Sequence, residues 1–217
     1  MPKGNMALHL RAVNHLRGQD PRLAEWIDRI GVIKMPARRS PDPYLALLET
    51  VAYQQLAGSA ARKIWGRVVG LFDEEGPRPE RLIAVGEEQL RAAGLSRSKA
   101  VSMCAIATHT LSGQIPDAAG MKRMADADIF ANLTQVRGVG PWTVEMLLMF
   151  TLRRPDIMPA TDYGIRKGYQ VLYRKRKLPT PTQLLKNADI WRPYRTTAAL
   201  YLWRIADAAK DRKKTTS

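Results

Sequence analysis

The chain has 217 residues, 45% of them apolar, which is enough for one large domain or two small lobes around a packed core. Lys and Arg outnumber Asp and Glu by 35 to 20, and the net charge of +15 favours a polyanionic partner, with nucleic acid ahead of an anionic membrane surface. No run approaches the roughly 18 apolar residues of a membrane span, and the single cysteine, Cys104, excludes an internal disulfide and a cysteine-bound iron–sulfur cluster.

The N-terminal segment MPKGNMALHLRAVNHLRG is interrupted by charge before an apolar core of the signal-peptide kind forms. Together with the basic composition, this predicts an intracellular protein. We expect it in the cytoplasm, associated with the nucleoid, or in the nucleus.

The first strong helix signal is DPYLALLETVAYQQLAG, where Asp42 can cap a helix and Pro43 suits its first position. Apolar residues recur at helical spacing through Ala52, so the pattern predicts a helix that ends near Gly58. Ser59 then predicts the cap of a second helix, AARKIWGRVVGLF, which stops in the turn DEEGPRP.

Amphipathic stretches predict helices along the rest of the chain: GEEQLRAAG, SRSKAVSMCAIATHTL, DADIFANLTQV, PWTVEMLLMFTL, DYGIRKGYQVLYRKRK and PYRTTAALYLWRIADAAK. No strand pattern is convincing, so the predicted fold class is all-α. Proline clusters at 36–43 and 77–79 are interpreted as joints within one body. Residues 1–217 are therefore predicted as a single domain, with a flexible basic tail at 211–217.

The stretch LTQVRGVGPWTVE places Gly138 and Gly140 between a helix ending near Val136 and one starting at Pro141. Glycine costs backbone entropy, so such a pair fits a turn that needs positive φ or a ligand that approaches the main chain. Amides beside a helix N-terminus can bind a phosphate, although a tight turn between helices explains the glycines without a ligand. The net charge favours the phosphate.

Asp162, in MPATDYGIRKG, follows a proline-containing approach and opens a basic helix. As an N-cap, its carboxylate would accept main-chain N–H bonds in the favourable field of the helix. A positioned carboxylate can also stabilise an oxocarbenium ion or activate a water, as in glycoside cleavage. The two roles are compatible, although an isolated Asp before a helix is most often only a cap.

The hairpin LTQVRGVGPWTVEMLL, followed by the aspartate of PATDYGIRKG, resembles the helix-hairpin-helix (HhH-GPD) DNA glycosylase superfamily. The stretches VAYQQLAGSAARKI, GLSRSKAVSMCAIA and WRPYRTTAALYLW resemble its branch for alkylated bases, the 3-methyladenine DNA glycosylase II type. The resemblance spans residues about 44 to 203. It implies two helical lobes that enclose a DNA-binding cleft, without the N-terminal sheet domain of larger bacterial members. The hairpin motif would lie at about 133–150 and the catalytic loop at about 155–163.

This resemblance makes Asp162 the catalytic carboxylate of a monofunctional glycosylase that flips an alkylated purine, such as 3-methyladenine or 7-methylguanine, and hydrolyses its N-glycosidic bond. Trp142 stands where glycosylases that also cleave the strand carry a lysine nucleophile. Because Trp has no amine and Lys167 does not match that position, no AP lyase activity is expected. The implied partner is duplex DNA with damaged bases, bound by a monomer that leaves an abasic site in base excision repair and needs no cofactor.

The resemblance also implies a set of DNA contacts, made by hairpin amides and by neighbouring side chains. These residues are Gln55, Leu56, Ser98, Lys99, Arg137, Gly138, Val139, Gly140 and Thr143. In the family, carbonyls at positions matching Thr134, Val136 and Val139 coordinate a sodium or potassium ion that bridges to the phosphate. Carbonyl oxygens are hard ligands that suit an alkali cation.

An aromatic base pocket is implied at Tyr53, Trp142, Tyr163 and Trp203. The face of an electron-rich ring attracts a cationic alkylated base by about 0.5 to 2 kcal/mol. Trp191, in the turn WRP, is interpreted as a core residue instead.

The turn from Gln54 to Gly58 matches the family's wedge loop, which fills the gap left by a flipped base. Leu56 is an apolar side chain of the kind that inserts between base steps. Gln55 is the alternative wedge residue, and Leu56 would then belong to the core.

Three functions stay open: a glycosylase for alkylated purines, a glycosylase for etheno or deaminated bases, and a non-catalytic helix-hairpin-helix module that grips DNA. The presence of Asp162 and of the aromatic set argues against the last. The three histidines, His9, His15 and His109, show neither metal-ligand spacing nor a Ser-His-Asp pattern, and surface or packing roles are expected for them.

Overall fold

The computed structural model describes residues 3–36, 40–56 and 58–215, with side chains for residues 9–210 of these ranges. Within them the regular structure is helical and contains no strand, which confirms the all-α prediction. The helices are α1 (Lys3–Gln19), α2 (Pro21–Ile30), α3 (Pro43–Tyr53), α4 (Gly58–Val69), α5 (Pro79–Ala92), α6 (Arg97–Leu111), α7 (Ala118–Arg123), α8 (Asp126–Leu133), α9 (Pro141–Met146), α10 (Tyr163–Leu172), α11 (Pro181–Asn187) and α12 (Arg195–Thr215). A π-helical segment (Leu147–Thr151) prolongs α9, and a 3-10 turn (Ala188–Trp191) follows α11.

The chain divides into two compact units, in line with the two lobes that the resemblance implies. One contains Met1–Ala37 and Arg153–Ser217, and therefore helices α1, α2 and α10 to α12. The other contains Arg38–Leu152, with helices α3 to α9. The single-domain assignment and the cleft stay predictions.

Helix α3 begins as predicted, since Asp42 Oδ1 accepts the N–H of Tyr44 at 2.9 Å. Its end was predicted too late, because the helix stops at Tyr53 rather than near Gly58. The main chain leaves the helix at Gln54, whose ψ is 131°, and Gln55 follows with a positive φ of 55°. The predicted cap at Ser59 is wrong as well, because α4 already starts at Gly58.

In the unit of α10 and α12, these two helices pack closely along each other. Gly168 is buried at their contact, where a Cβ would overlap the carbonyl oxygen of Leu202. Only glycine allows the main chains to come this close. The same two helices carry Asp162, at the N-terminus of α10, and Trp203, on α12.

Substituting Gly168 with Ala should therefore destabilise the protein by about 2 kcal/mol or more, because overpacking against main chain cannot be relieved by a rotamer change. Urea unfolding of the variant measures this. Gly66→Ala in α4 is the matched control, since a Cβ at Gly66 meets nothing within 4 Å. It should be neutral or slightly stabilising. Equal stability of the two variants would contradict the claim that the contact between α10 and α12 requires glycine at position 168.

Among the described residues, no helix is long and apolar enough to cross a membrane. Helix α12 runs to Thr215, and residues 216–217 lie outside the described residues, so the flexible tail at 211–217 stays a prediction. Ala57, inside the predicted wedge loop, also lies outside them.

Candidate functional site

The predicted site residues fall into two groups, one in each unit. In the first group, Asp162 is the N-cap of α10, where its Oδ1 accepts the N–H of Ile165 at 2.9 Å. The sequence prediction of a capping aspartate is thereby confirmed. The cap fixes the carboxylate at the positive end of the helix, where negative charge is favoured.

A second donor holds the same carboxylate. Trp203 donates its Nε1–H to Asp162 Oδ1 at 2.9 Å, although the two residues lie far apart in sequence. With one donor from its own helix and one from α12, the carboxylate has a defined position and orientation. The sequence predicts Trp203 for the base pocket, and the structure places it beside the expected catalytic group. Tyr163, the residue after Asp162, is 64% exposed.

The loop before Asp162 is tied to the start of α12 by main-chain and side-chain bonds. Thr196 Oγ1 donates to the carbonyl of Arg154 at 2.8 Å and accepts the N–H of Ile157 at 3.0 Å. The N–H of Thr196 donates to the carbonyl of Pro155 at 3.0 Å. The start of the predicted catalytic loop is therefore anchored to α12, the helix that also supplies Trp203.

A cluster of ion pairs strengthens the attachment of this loop to the start of α12. Arg195 Nε donates to Asp156 Oδ1 at 2.8 Å, and Arg195 Nη2 donates to the Asp156 carbonyl at 2.8 Å. Arg192 Nη1 donates to Asp156 Oδ2 at 2.6 Å. Since Arg195 is largely buried, its bonds to Asp156 restrain the loop more strongly than an exposed pair would.

In the second group, the glycine pair of the hairpin has two different explanations. Gly138 has a φ of +83°, and a Cβ there would overlap Ser102, so both the turn and the packing require glycine. Gly140 caps α9 with an ordinary φ of −89°, and a Cβ there would meet nothing within 4 Å. Positive φ therefore accounts for only one of the two glycines, and Gly140 remains compatible with a close ligand.

The remaining hairpin residues define the turn. The N–H of Val139 donates to the carbonyl of Val136 at 3.0 Å, and both side chains are buried. Thr143 donates its N–H to the carbonyl of Gly140 at 2.9 Å, and its side chain is only 1% exposed. Arg137 is exposed on the turn. Thr143, predicted as a DNA contact, thus packs inside its unit.

Sequence reasoning missed the role of Gln54. Its Nε2 donates to Thr143 Oγ1 at 2.9 Å and to the carbonyl of Gly138 at 3.2 Å. Gln54 thereby connects the turn after α3 to the hairpin. In that turn Gln55 is exposed, and Leu56 is 40% exposed, so both wedge candidates are accessible.

Lys99, predicted as a DNA contact, donates its Nζ to the carbonyls of Gln54 at 2.7 Å and Ala52 at 3.0 Å. Burial lowers the pKa of Lys99 from its ordinary value. Ser98 is exposed, and it follows Ser96, the N-cap of α6, whose Oγ accepts the N–H of Lys99.

The other aromatic residues separate into core and partly buried positions. Trp191 is fully buried, as predicted, and its Nε1–H donates to Asp20 Oδ2 at 3.0 Å. Tyr53 and Trp142 are partly buried. In the described part of the chain, no three His, Cys, Asp or Glu side chains are grouped to hold a metal ion.

The family model for HhH-GPD superfamily base excision DNA repair proteins matches residues 48–193. This match covers the turn after α3, the hairpin and Asp162. DNA-3-methyladenine glycosylase 1 from Schizosaccharomyces pombe is 39% identical over 92% of this chain and 88% of its own length.

Solved structures of similar proteins agree with this family match. The 3-methyladenine DNA glycosylase Mag1 from S. pombe, in complex with abasic DNA, superimposes with a TM-score of 0.83 at 38% identity, over 89% of this chain and 95% of that one. A DNA-3-methyladenine glycosidase from Bacillus halodurans superimposes with a TM-score of 0.78 at 32% identity, over 92% and 91% of the two chains.

Proposed function

The chain belongs to the HhH-GPD superfamily of base excision DNA repair proteins, and from this premise we propose that it is a monofunctional DNA glycosylase for alkylated purines. It flips a base such as 3-methyladenine or 7-methylguanine out of duplex DNA and hydrolyses the N-glycosidic bond. The observation that carries the proposal is the position of Asp162, which lies inside the segment that matches the family and whose carboxylate accepts hydrogen bonds from Ile165 and Trp203. It works as a monomer, in the compartment that holds the DNA.

The chemistry follows from the charge of the substrate. A purine methylated at N3 or N7 carries a positive charge, so when the C1′–N bond breaks, the base takes the electron pair and leaves as a neutral molecule. Positive charge then develops on the deoxyribose, where Asp162 stabilises it. A water adds its oxygen to C1′, and Asp162 accepts the proton that this water releases. The products are the free base and an abasic site.

The aromatic side chains serve the flipped base. Trp203 and Tyr163 lie next to Asp162, one by its hydrogen bond and one in sequence, and we assign them to the base pocket. The family resemblance assigns Trp142 and Tyr53 the same role. Ring faces attract a cationic base, so the pocket favours alkylated purines without a full set of base-specific hydrogen bonds.

DNA is held by the hairpin. We assign the phosphate to main-chain amides of Gly138 and Gly140, with Arg137 as an exposed cationic neighbour. Such contacts position the duplex and carry no sequence information, which suits an enzyme that must search all sequences for damage. Either Gln55 or Leu56 fills the gap in the stack after flipping.

Trp203→Phe tests whether the indole orients the carboxylate. The variant keeps an aromatic face but loses the Nε1–H that binds Asp162, and single-turnover base release should fall about tenfold. Affinity for lesion-containing duplex should change little. It is compared between Asp162→Asn alone and Asp162→Asn combined with Trp203→Phe. Trp26→Phe, on α2, is the control and should match wild type. A wild-type rate for Trp203→Phe would leave the indole only a packing or stacking role.

The resemblance implies an alkali cation held by the carbonyls of Thr134, Val136 and Val139. The N–H of Val139 donates to the carbonyl of Val136, which fixes this turn and leaves the Val136 oxygen a second lone pair that can coordinate Na⁺ or K⁺. Replacing these ions by tetramethylammonium at constant ionic strength should weaken DNA binding severalfold. Unchanged affinity would mean that the amides hold the phosphate without a cation.

Cleavage assays before and after alkali test the monofunctional assignment. Duplexes that carry one 7-methylguanine should break only after alkali, because Trp142 offers no amine for a Schiff base. Breaks before alkali would contradict this assignment. Faster release of neutral hypoxanthine or 1,N6-ethenoadenine than of 7-methylguanine would favour the alternative, a glycosylase for deaminated or etheno bases.

A further inference from the structure

The turn after α3 has an unusual main-chain conformation and accessible side chains. The N–H of Gln54 makes the last helical bond, to the carbonyl of Thr50 at 3.1 Å, and the ψ of Gln54, 131°, then takes the main chain out of the helix. The next residue, Gln55, has a positive φ, and the N–H of Leu56 donates to the carbonyl of Tyr53 at 3.4 Å. A residue other than glycine adopts such a φ only where its surroundings hold it there. Other parts of this unit must therefore restrain the turn.

Lys99 provides one restraint. Its ammonium lies at the C-terminus of α3, where it donates to the carbonyls of Ala52 and Gln54. Carbonyls at the C-terminus of a helix receive no N–H bond from that helix, and its negative end favours a cation. Gln54, whose carbonyl accepts one of these bonds from Lys99, is the residue directly before Gln55 with its positive φ. Lys99 therefore fixes the direction in which the main chain leaves the helix.

The side chain of Gln54 provides the other restraint. It donates to the Gly138 carbonyl and to the hydroxyl of Thr143, on the two sides of the hairpin turn. Because a carbonyl only accepts, the amide nitrogen must face it, which sets the orientation of the Gln54 side chain. The Lys99 ammonium, Gln54 and the hairpin thus form one continuous set of hydrogen bonds.

We propose that Lys99 and Gln54 are positioning residues that hold the turn of Gln55 and Leu56 in register with the Gly138–Thr143 hairpin. This inference rests on the proposed function and assigns a step within it. The hairpin grips a phosphate and the turn inserts a side chain into the stack, so both must engage the duplex at a fixed separation. Lys99 then acts on base flipping through the turn, rather than by binding a phosphate.

Replacing Lys99 or Gln54 should therefore impair base flipping without lowering the affinity for DNA. Lys99→Met and Gln54→Leu should each slow base release from a fully paired lesion about tenfold, as expected when hydrogen-bonded partners are lost. Affinity for undamaged duplex should stay within about twofold, because the hairpin amides remain. The defect should shrink when the lesion faces an abasic position, since an unpaired base costs less to flip. Lys99→Arg, which can still bond both carbonyls, should recover part of the rate.

The experiment measures single-turnover release on paired and unpaired lesions, together with the salt dependence of binding. Lys186→Met, an exposed lysine on α11, controls for the lost charge and should behave as wild type. The proposal is overturned if Lys99→Met weakens binding to undamaged duplex and lowers the salt slope by about one, which would make Lys99 a phosphate contact. It is equally overturned if the rate defect is the same on paired and unpaired lesions.

A readout without catalysis separates this inference from the proposed function. A 2-aminopurine beside the target base reports unstacking by its fluorescence, and the measurement is made at saturating protein in the Asp162→Asn background. Adding Lys99→Met or Gln54→Leu should abolish most of the signal, and adding Lys186→Met should not. If this pattern holds while wild type releases no base, the positioning role stands and the proposed function fails. An unchanged signal in both variants overturns the positioning role.

Discussion

Replacing Asp162 with Asn is expected to lower the rate of base release by at least about a hundredfold, because a positioned charge that stabilises the transition state has been removed. The amide is nearly isosteric, and its oxygen can still accept the N–H of Ile165 and the Nε1–H of Trp203. The cap, and with it the fold of α10, should therefore survive. DNA affinity should stay within a few fold of wild type.

Asp117→Asn is the matched control for this substitution. Asp117 also caps a helix, accepting the N–H of Gly120 at 2.7 Å, but it precedes α7 in the other unit. Its replacement should leave base release unchanged. Single-turnover rates and melting temperatures of both variants make the comparison. If Asp162→Asn retains the wild-type rate, Asp162 is a helix cap and the catalytic group lies elsewhere.

The second large effect is expected at Gly138. Gly138→Val should reduce affinity for every duplex, damaged or not, by at least about tenfold, because a β-branched residue resists positive φ and would overlap Ser102. The main-chain amides that we assign to the phosphate would move with the turn. Binding to duplexes of unrelated sequence, measured by fluorescence anisotropy at fixed salt, tests this.

Gly140→Ala tests for close contact between DNA and the hairpin main chain without straining the free protein. The residue has an ordinary φ, and an added Cβ meets no protein atom within 4 Å, so the free protein should be as stable as wild type. A loss of DNA affinity in this variant would then report a ligand that comes close to the Gly140 main chain. If Gly138→Val bound all duplexes with wild-type affinity, another surface would have to provide the grip.

Local signals in the sequence predicted much of this structure. An aspartate followed by proline identified the start of α3, and a lone aspartate before a basic helix identified the cap of α10. Both rest on hydrogen bonds between near neighbours, which sequence spacing can reveal. The same pair of residues, Asp20 and Pro21, stands at the start of α2.

Other features depend on residues that only the fold brings together. Asp20 accepts from Tyr173 at 2.6 Å and from Trp191 at 3.0 Å, both far along the chain. The bond from Trp203 to Asp162 and the bridge from Gln54 to the hairpin are of the same kind. Residue type indicates that such groups need partners, but it does not say which ones. Family resemblance named Trp203 for the base pocket without predicting its bond to the carboxylate.

Helix ends were the least predictable local feature. The pattern around Gln54 to Gly58 is compatible with a continuing helix, and the structure has a turn there, to which Lys99 and Gln54 contribute the tertiary hydrogen bonds that we propose hold it. Tertiary context therefore overrides local propensity at the point where we place the wedge. Sites that break a local rule in this way are often functional.

The central claim is that this chain breaks N-glycosidic bonds to alkylated purines, and the most direct test is the release of free base. Duplex DNA methylated with dimethyl sulfate would be incubated with the purified chain, and the soluble fraction would be separated by chromatography. The account predicts free 3-methyladenine and 7-methylguanine, with no strand breaks until alkali is added. Tight binding to the methylated DNA without any free base would contradict it and indicate a helix-hairpin-helix module that grips DNA only.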